Sequence, residues 1–261
     1  MDSERDINTA SGGSLVPRKG GGKDVHESAH ALKAAIDEGK HEVPAGPAPL
    51  VCKPRVLEPW RMFKIMAEFT EGFDLLTKYG LAATFFGTAR SSFDSAVYND
   101  ATELAQRLAK RGFAVITGGA SGVMKAANKG AHDAGGASVG LNIELEHSEG
   151  ENGFLTDHIL FNHFFVRKVM LTYASEVYIY FPGGFGTLDE FFEIVTLVQT
   201  GKIKPVPIVL YNKEYWTPLI SFFETQLRDK YHAIDPLDMD LFHLTDTVDE
   251  AFEYIVANVK C

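Results

Sequence analysis

The chain has 261 residues, of which 45% are hydrophobic and 23% charged, and this composition is typical of a globular protein with a sizeable buried core. No apolar run reaches the roughly 18 residues of a membrane span, so we expect no transmembrane helix and no membrane partner. The formal net charge is −10 and the body contains no basic block, so nucleic acid is not expected as a partner either.

Residues 1–50 differ in composition from the rest of the chain. They are rich in glycine and proline and contain no aromatic residue, so they would bury too little apolar surface to offset the entropy of ordering. We expect a disordered extension here, with a partner-binding or oligomer-bracing arm as the alternative, and a single domain over residues 51–261. The two cysteines, Cys52 and Cys261, cannot form a disulfide framework, so we expect reduced thiols and a cytoplasmic location.

The body alternates helices and strands in chain order. An amphipathic helix is predicted over 60–79, with six apolar residues at helical spacing: Met62, Ile65, Met66, Phe69, Phe73 and Leu76. This apolar stripe predicts either core packing or an oligomer interface. Strands are predicted at 81–86, 113–116, 137–143, 158–161, 177–181 and 206–210. Helices are predicted at 94–110, 122–134, 164–173, 186–199, 215–228 and 248–259. Short apolar strands separated by helices favour a doubly wound α/β fold, a parallel sheet with helices on both faces.

Three glycine-rich segments follow predicted strands, at 86–90, 117–122 and 182–187. In such folds ligands bind where strands end and helices begin, and the free N–H groups of a helix start attract anions. A single glycine corner is often only a tight turn, but three on one sheet edge indicate a phosphate-bearing ligand. The dinucleotide fingerprint fails because Asp189 stands where its third glycine belongs, and the Gly-Lys-Ser/Thr pattern of P-loop enzymes is absent.

Charged residues lie close to the third glycine corner. Glu190 follows Thr187 by three residues, so the two residues could form a capping box, or the carboxylate could face the ligand's sugar. Arg167 and Lys168 stand near the start of the preceding helix. They could be a solvated surface pair, or the guanidinium could bind phosphate or ribose.

Residues 182–190, Pro-Gly-Gly-Phe-Gly-Thr-Leu-Asp-Glu, match the P-G-G-x-G-T-x-x-E signature of the LOG family of cytokinin-activating phosphoribohydrolases. The segments 86–90 and 117–119 and the Arg167-Lys168 pair also resemble family elements, in the expected order, over about residues 80–230. The resemblance implies a Rossmann-like fold and hydrolysis of the N-glycosidic bond of a nucleoside 5′-monophosphate. AMP and a cytokinin riboside 5′-monophosphate both remain open as substrates, with free base and ribose 5-phosphate as products. It also implies a homodimer or a larger homo-oligomer.

The resemblance further implies catalytic roles for Arg167 and Glu190. It assigns substrate binding to Gly87, Thr88, Gly118, Gly119, Lys168, Gly183, Gly184, Gly186, Thr187 and Glu149. The loop at 144–152, which carries Glu149, departs from the family pattern, so the preferred base stays open. The nine histidines lack metal-ligand spacing, so we expect no metal and no cofactor.

Two other functions compete with hydrolysis. A related glycine signature occurs in molybdenum-cofactor carrier proteins, so a non-catalytic nucleotide or cofactor carrier is the main alternative. A carrier needs no carboxylate beside the sugar, and Glu190 therefore favours the enzyme. A pyridoxal-phosphate lysine decarboxylase would need a Schiff-base lysine, and no lysine here has a recognisable setting for one.

Overall fold

The computed structural model describes residues 59–90, 94–144 and 150–260. The predicted extension at 1–50, Cys52, Cys261 and Glu149 lie outside the described residues. The domain division, the reduced cysteines and the cytoplasmic location therefore stay predictions.

Helices and strands alternate along most of the described chain, with two strands in succession at 138–143 and 157–161. The helices are α1 (Arg61–Leu76), α2 (Ser95–Lys110), α3 (Val123–Asp133), α4 (Phe164–Thr172), α5 (Phe185–Gln199), α6 (Lys213–Phe222) and α7 (Val248–Asn258). The strands are β1 (Ala82–Phe86), β2 (Ala114–Thr117), β3 (Ser138–Ile143), β4 (Asp157–Phe161), β5 (Val177–Tyr180), β6 (Ile208–Tyr211) and β7 (His243–Thr245). A π-helix (Phe223–Lys230) continues α6, and a 3₁₀-helix (Pro236–Leu241) precedes β7.

The strands form one seven-stranded sheet in the order β4-β3-β2-β1-β5-β6-β7, and all neighbouring strands are parallel. The chain winds outward from β1 to β4 and then returns to place β5 on the other side of β1. The order therefore reverses between β1 and β5. Ligands of doubly wound sheets bind in the crevice at the carboxyl ends of such a strand pair.

Apolar side chains cover both faces of the sheet, because alternate residues of each strand point to opposite sides. One core contains Phe86 and Tyr180 with residues of α4, α5 and α6. The other contains Phe85 and Ile179 with residues of α2, α3 and α7. The fold is thus the predicted Rossmann-like doubly wound parallel sheet.

Three details differ from the sequence prediction. The helix predicted at 215–228 begins earlier, where the Asn212 side chain accepts a hydrogen bond from the Tyr215 N–H, and its last part is π-helical. Strand β6 begins at Ile208 rather than 206. The last strand, β7, and the 3₁₀-helix were not predicted, since three and six residues are too few to show a period.

The apolar stripe of α1 divides into two parts. Ile65, Phe69 and Leu76 pack on the core, whereas Met62, Met66 and Phe73 are exposed. Core packing therefore buries only part of this apolar stripe, and the rest of it is exposed. Within those residues, no helix has both the length and the apolar character needed to cross a membrane.

Candidate active site

A cavity of about 310 Å³ lies at the carboxyl ends of β1, β2 and β5, at the point where the strand order reverses. Its walls are formed by the three glycine corners together with residues of α3, α4 and α5. The lining residues are Phe86, Gly87, Thr88, Ala89, Arg90, Gly118, Met124, Phe164, Arg167, Leu171, Gly184, Gly186, Thr187 and Glu190.

Backbone hydrogen bonds tie the corners to one another. The Thr88 N–H donates to the Pro182 carbonyl at 3.0 Å, and the Val123 N–H donates to the Thr88 carbonyl at 3.0 Å. A Cβ at Gly122 would lie 2.1 Å from that Thr88 oxygen, so the close approach requires glycine. The corners that follow β1, β2 and β5 are thus held as one unit.

Helix α5 begins directly at the third corner, with Gly184 as its N-cap and no side-chain cap. Thr187 therefore sits inside the first turn, and the capping-box interpretation of Thr187 and Glu190 is wrong. The Thr187 N–H donates to the Gly184 carbonyl at 3.0 Å, but the N–H groups that precede it have no acceptor within the helix. Gly184, Gly186 and Thr187 line the cavity. This arrangement can bind an anion.

Glu190 is 6% exposed and lies one turn into α5, with its side chain lining the cavity. Burial raises the pKa of Glu190 to about 7, although the positive charges of Lys168 and Arg167 act in the opposite direction. The neighbouring Asp189 raises the pKa further. The group therefore changes charge near neutral pH, as groups that move protons commonly do.

Arg167 projects from α4 between the ends of β2 and β3. Its Nε donates to the Leu141 carbonyl at 2.7 Å and its Nη2 donates to the Gly118 carbonyl at 3.4 Å. Burial lowers the pKa of Arg167 and the Glu190 carboxylate opposes that shift, but an arginine stays protonated in proteins. The cavity thus contains a fixed positive charge.

Lys168 is not one of the residues that line the cavity, and its side chain lies beside the acidic residues of α5. Its Nζ lies 2.7 Å from Asp189 Oδ2, 2.7 Å from Glu193 Oε2 and 3.7 Å from Glu190 Oε2. The structure therefore gives Lys168 a direct effect on the charge of Glu190.

A buried carboxylate of α1 organises the start of α4. Glu68 is 9% exposed and accepts hydrogen bonds from the backbone N–H groups of Asn162 and His163, both at 3.2 Å. Its Oε1 also lies 3.0 Å from His163 Nδ1. Burial alone would raise the pKa of Glu68, but these hydrogen bonds outweigh it and lower the pKa. The His163 carbonyl in turn accepts from the Arg167 N–H at 3.2 Å, so Glu68 is linked to the position of Arg167.

The second corner rests on buried asparagines. The Gly119 carbonyl accepts from Asn142 Nδ2 at 3.3 Å and from the Asn152 N–H at 3.1 Å. A Cβ at Gly119 would lie 2.0 Å from Asn142 Oδ1. The contacts of Gly119 with Asn142 and Asn152 thus fix the backbone of the second corner.

Most predicted site residues come together in the structure. Eight of them line the cavity: Gly87, Thr88, Gly118, Arg167, Gly184, Gly186, Thr187 and Glu190. Gly119, Gly183 and Lys168 lie next to lining residues, and Glu149 is outside the described residues. Six lining residues were not predicted as site residues, although three of them belong to the predicted glycine corner at 86–90: Phe86, Ala89, Arg90, Met124, Phe164 and Leu171. The support from Glu68 was not predicted either. Arg90 and Phe164 could have been found, since one follows a strand end and the other opens α4.

Among the residues that the structure describes, no three His, Cys, Asp or Glu side chains are close enough to hold a metal ion.

Comparison with known proteins assigns this chain to a family. A family model described as "Possible lysine decarboxylase" matches residues 124–255, about half of the chain. The chain belongs to this family. Its relatives include a cytokinin riboside 5′-monophosphate phosphoribohydrolase of Arabidopsis thaliana, 32% identical over 56% of this chain and 64% of that protein. Another, from Rhodococcoides fascians and of the same name, is 30% identical over 46% of this chain and 63% of its own length. The LOG family resemblance is therefore confirmed, and the match spans slightly less than two thirds of each of these two relatives.

Solved structures support the same fold. A structural-genomics target superposes with a TM-score of 0.53 at 26% identity, covering 68% of this chain and 99% of its own. The molybdenum cofactor carrier protein of Chlamydomonas reinhardtii gives a TM-score of 0.53 at 23% identity, covering 68% of this chain and 96% of its own. At 23% identity the carrier protein establishes only that the fold is shared.

Proposed function

We propose that this protein hydrolyses the N-glycosidic bond of a nucleoside 5′-monophosphate and releases free base and ribose 5-phosphate. The observation that carries the proposal is the buried Glu190 carboxyl, which lines the same cavity as the helix start that can bind phosphate. The names of the relatives, which include phosphoribohydrolases acting on nucleoside monophosphates, support this substrate class.

The phosphate would bind at the first turn of α5. The N–H groups of Gly184 and Gly186 offer donors there, and the helix dipole favours a negative charge. Arg167 adds a positive charge that its two carbonyl contacts hold in place. Binding energy from the phosphate is thereby available to hold the reacting sugar, which is not itself charged in the ground state.

Glu190 would act on the sugar once the phosphate is anchored. As the C1′–N bond breaks, its electron pair leaves with the base and positive charge builds on the ribose ring. The Glu190 carboxylate stabilises that charge and accepts a proton from the attacking water, whose oxygen bonds to C1′. The departing base nitrogen takes up one proton, so that water supplies a hydroxyl to C1′ and a proton to the base, and one nucleotide and one water give one base and one ribose 5-phosphate.

The base would lie against the apolar side of the cavity. Met124, Phe164 and Leu171 line this side, and the Phe164 ring is half exposed. An aromatic face can stack on any purine, so both adenine and a prenylated adenine fit the proposal.

A cofactor carrier remains the second candidate, because it shares the fold. Glu190 favours hydrolysis, because a carrier needs no carboxylate in the cavity beside the sugar, whereas the hydrolase uses one. A pterin that copurifies with a protein unable to release base would favour the carrier.

The direct test is base release from AMP, isopentenyladenosine 5′-monophosphate and adenosine. We expect both nucleotides to be cleaved, with kcat/KM for AMP at least about 100-fold above that for adenosine, since only the nucleotide gains the binding energy of the phosphate. The ratio of the two nucleotides then defines the preferred base. Equal cleavage of AMP and adenosine, or none by the folded protein, would contradict the proposal.

We also propose that two copies associate through α1. The exposed apolar residues on and beside this helix are Trp60, Met62, Phe63, Met66, Phe73 and Tyr173. Exposed apolar patches of this kind mark association surfaces.

Light scattering at micromolar concentration should give the mass of a dimer or a larger oligomer, and Phe63→Lys combined with Met66→Lys should give a monomer. Leu237→Lys, a change at an exposed residue of the 3₁₀-helix, is the matched control and should leave the mass unchanged. A wild-type monomer would refute this assembly.

A further inference from the structure

Tyr215 on α6 reaches the third glycine corner from outside the glycine motif. Its hydroxyl donates a 2.6 Å hydrogen bond to the Gly183 carbonyl. Gly183 directly precedes Gly184, the N-cap of α5. The hydroxyl therefore contacts the peptide unit that leads into the proposed phosphate site.

The peptide between Gly183 and Gly184 has unusual freedom. Neither residue has a Cβ, so the peptide plane can rotate with little steric hindrance. Because a trans peptide is planar, its C=O and N–H point in opposite directions. A hydrogen bond that fixes the Gly183 oxygen toward α6 therefore also fixes the Gly184 N–H away from α6, on the side where Gly184 lines the cavity.

Helix α6 is held firmly enough to serve as the anchor. The Tyr215 N–H donates to the Asn212 side chain at 2.9 Å, which caps the helix. The adjacent Trp216 is fully buried, and its Nε1 donates to the carbonyls of Tyr180 at 3.2 Å and Tyr211 at 3.1 Å. These carbonyls belong to the ends of β5 and β6, so Tyr215 is fixed relative to the same sheet edge as the glycine corner.

We propose that Tyr215 is a positioning residue that orients the Gly183–Gly184 peptide so that its N–H binds the phosphate of the substrate. This inference rests on the proposed function for the identity of the ligand, but the orientation of the peptide does not depend on catalysis. The side chain acts through the backbone and has no part in bond cleavage.

Packing against Thr187 prevents a test by substitution of Gly183, so the hydrogen bond must be tested from the Tyr215 side. A Cβ at Gly183 would lie 2.0 Å from Thr187 Oγ1, so glycine is required there for packing. Substitutions of Gly183 would therefore disturb the corner itself, whereas Tyr215→Phe removes one oxygen and keeps the ring.

The experiment compares wild type, Tyr215→Phe and Tyr79→Phe. Tyr79 is a matched control because its half-buried hydroxyl also bonds to another group, Asp157, at the opposite end of the sheet. Titration calorimetry with ribose 5-phosphate measures phosphate binding directly. Steady-state kinetics with AMP and with adenosine separates KM from kcat.

For Tyr215→Phe we expect the Kd of ribose 5-phosphate and the KM for AMP to rise about threefold to tenfold, the effect of one hydrogen bond. The kcat for AMP and the kcat/KM for adenosine should stay within about twofold of wild type, and Tyr79→Phe should match wild type throughout. A merely structural role would instead reduce kcat, adenosine cleavage and thermal stability together, and that outcome would overturn the inference.

The outcomes also separate this inference from the proposed function. If wild type binds ribose 5-phosphate without releasing base, and Tyr215→Phe weakens that binding, the positioning role holds and only the hydrolase proposal fails. If wild type cleaves AMP and Tyr215→Phe has the same KM and Kd, the positioning role alone is refuted. If wild type neither binds ribose 5-phosphate nor releases base, both are refuted.

Discussion

Replacing Glu190 by glutamine should abolish base release and make the protein more stable at the same time. Glutamine keeps the size of the side chain but cannot carry the negative charge that opposes the charge on the ribose. We expect kcat for AMP to fall about 10³-fold, the scale of losing one preorganised electrostatic contact in a buried site.

The gain in stability follows from the ionisation of Glu190. Its pKa is about 7 in the folded protein, raised mainly by burial, against 4.5 for an ordinary glutamate. Between these two values the folded chain keeps a proton that the unfolded chain has released, so stability falls as pH rises through this window. The loss is complete above the folded pKa and absent below the unfolded one.

Glutamine is uncharged, like protonated glutamate, so the mutant does not lose stability as pH rises through this window. At about pH 8 we expect Glu190→Gln to unfold with a free energy roughly 1–3 kcal/mol higher than wild type. The melting temperature should rise by about 2–4 °C per kcal/mol. Near pH 4.5 the two proteins should melt alike. Thermal melts across pH measure this, and a mutant less stable than wild type at alkaline pH would contradict the burial of an ionisable Glu190.

Lys168→Met is the companion variant for the same group. Lys168 is the largest influence that lowers the pKa of Glu190, so its removal should raise that pKa further. In wild type, kcat/KM should rise with pH through about 7, because the carboxylate is the active form. In Lys168→Met the rise should move to higher pH. An unchanged profile would mean that Glu190 does not control it.

Arg167→Lys should be nearly as damaging as the loss of Glu190, although the charge is kept. The guanidinium makes two directed contacts with the carbonyls of Leu141 and Gly118, from Nε and Nη2. A lysine ammonium is more strongly hydrated and cannot reproduce this forked geometry in a buried position. We expect kcat/KM for AMP to fall about 10²-fold to 10³-fold, with a large part in KM.

Arg107→Lys provides the control for this substitution. Arg107 lies on α2, away from the cavity, and its guanidinium is paired with the Asp249 carboxylate at 2.6 Å. Its replacement should leave kcat/KM within about twofold of wild type, as expected of a surface ion pair. A small effect of Arg167→Lys, comparable with that of Arg107→Lys, would show that the guanidinium geometry is unimportant.

The fold was predictable because its signals are local. Each of the six predicted strands is a short apolar segment, and the helices between them show a clear period, so the doubly wound sheet could be predicted without its strand order. The order itself, with β5 beside β1, depends on long-range packing that no local pattern expresses. Local patterns also did not predict the three-residue β7 or the π-helical end of the 215–228 segment, because these too depend on long-range packing.

The part of the site that needs glycine in its backbone was predictable, because glycine is visible in the sequence. Glycine corners at strand ends identified most of the cavity, and the signature at 182–190 identified Glu190. The supporting residues were missed because their role arises only from folding: Glu68 is 94 residues from Asn162, and Tyr215 is 32 from Gly183. The capping-box interpretation of Glu190 failed because α5 starts at Phe185, so spacing alone placed the helix end wrongly.

The measurement that tests the central claim most directly is product analysis of AMP incubated with wild-type protein in ¹⁸O-labelled water. Hydrolysis of the N-glycosidic bond predicts adenine and ribose 5-phosphate in equal amounts, with the label at C1 of the sugar and none in phosphate. Label in inorganic phosphate with release of adenosine would mean that the protein cleaves the phosphate ester, and intact AMP would mean that the protein does not hydrolyse this nucleotide. Either result would contradict the account.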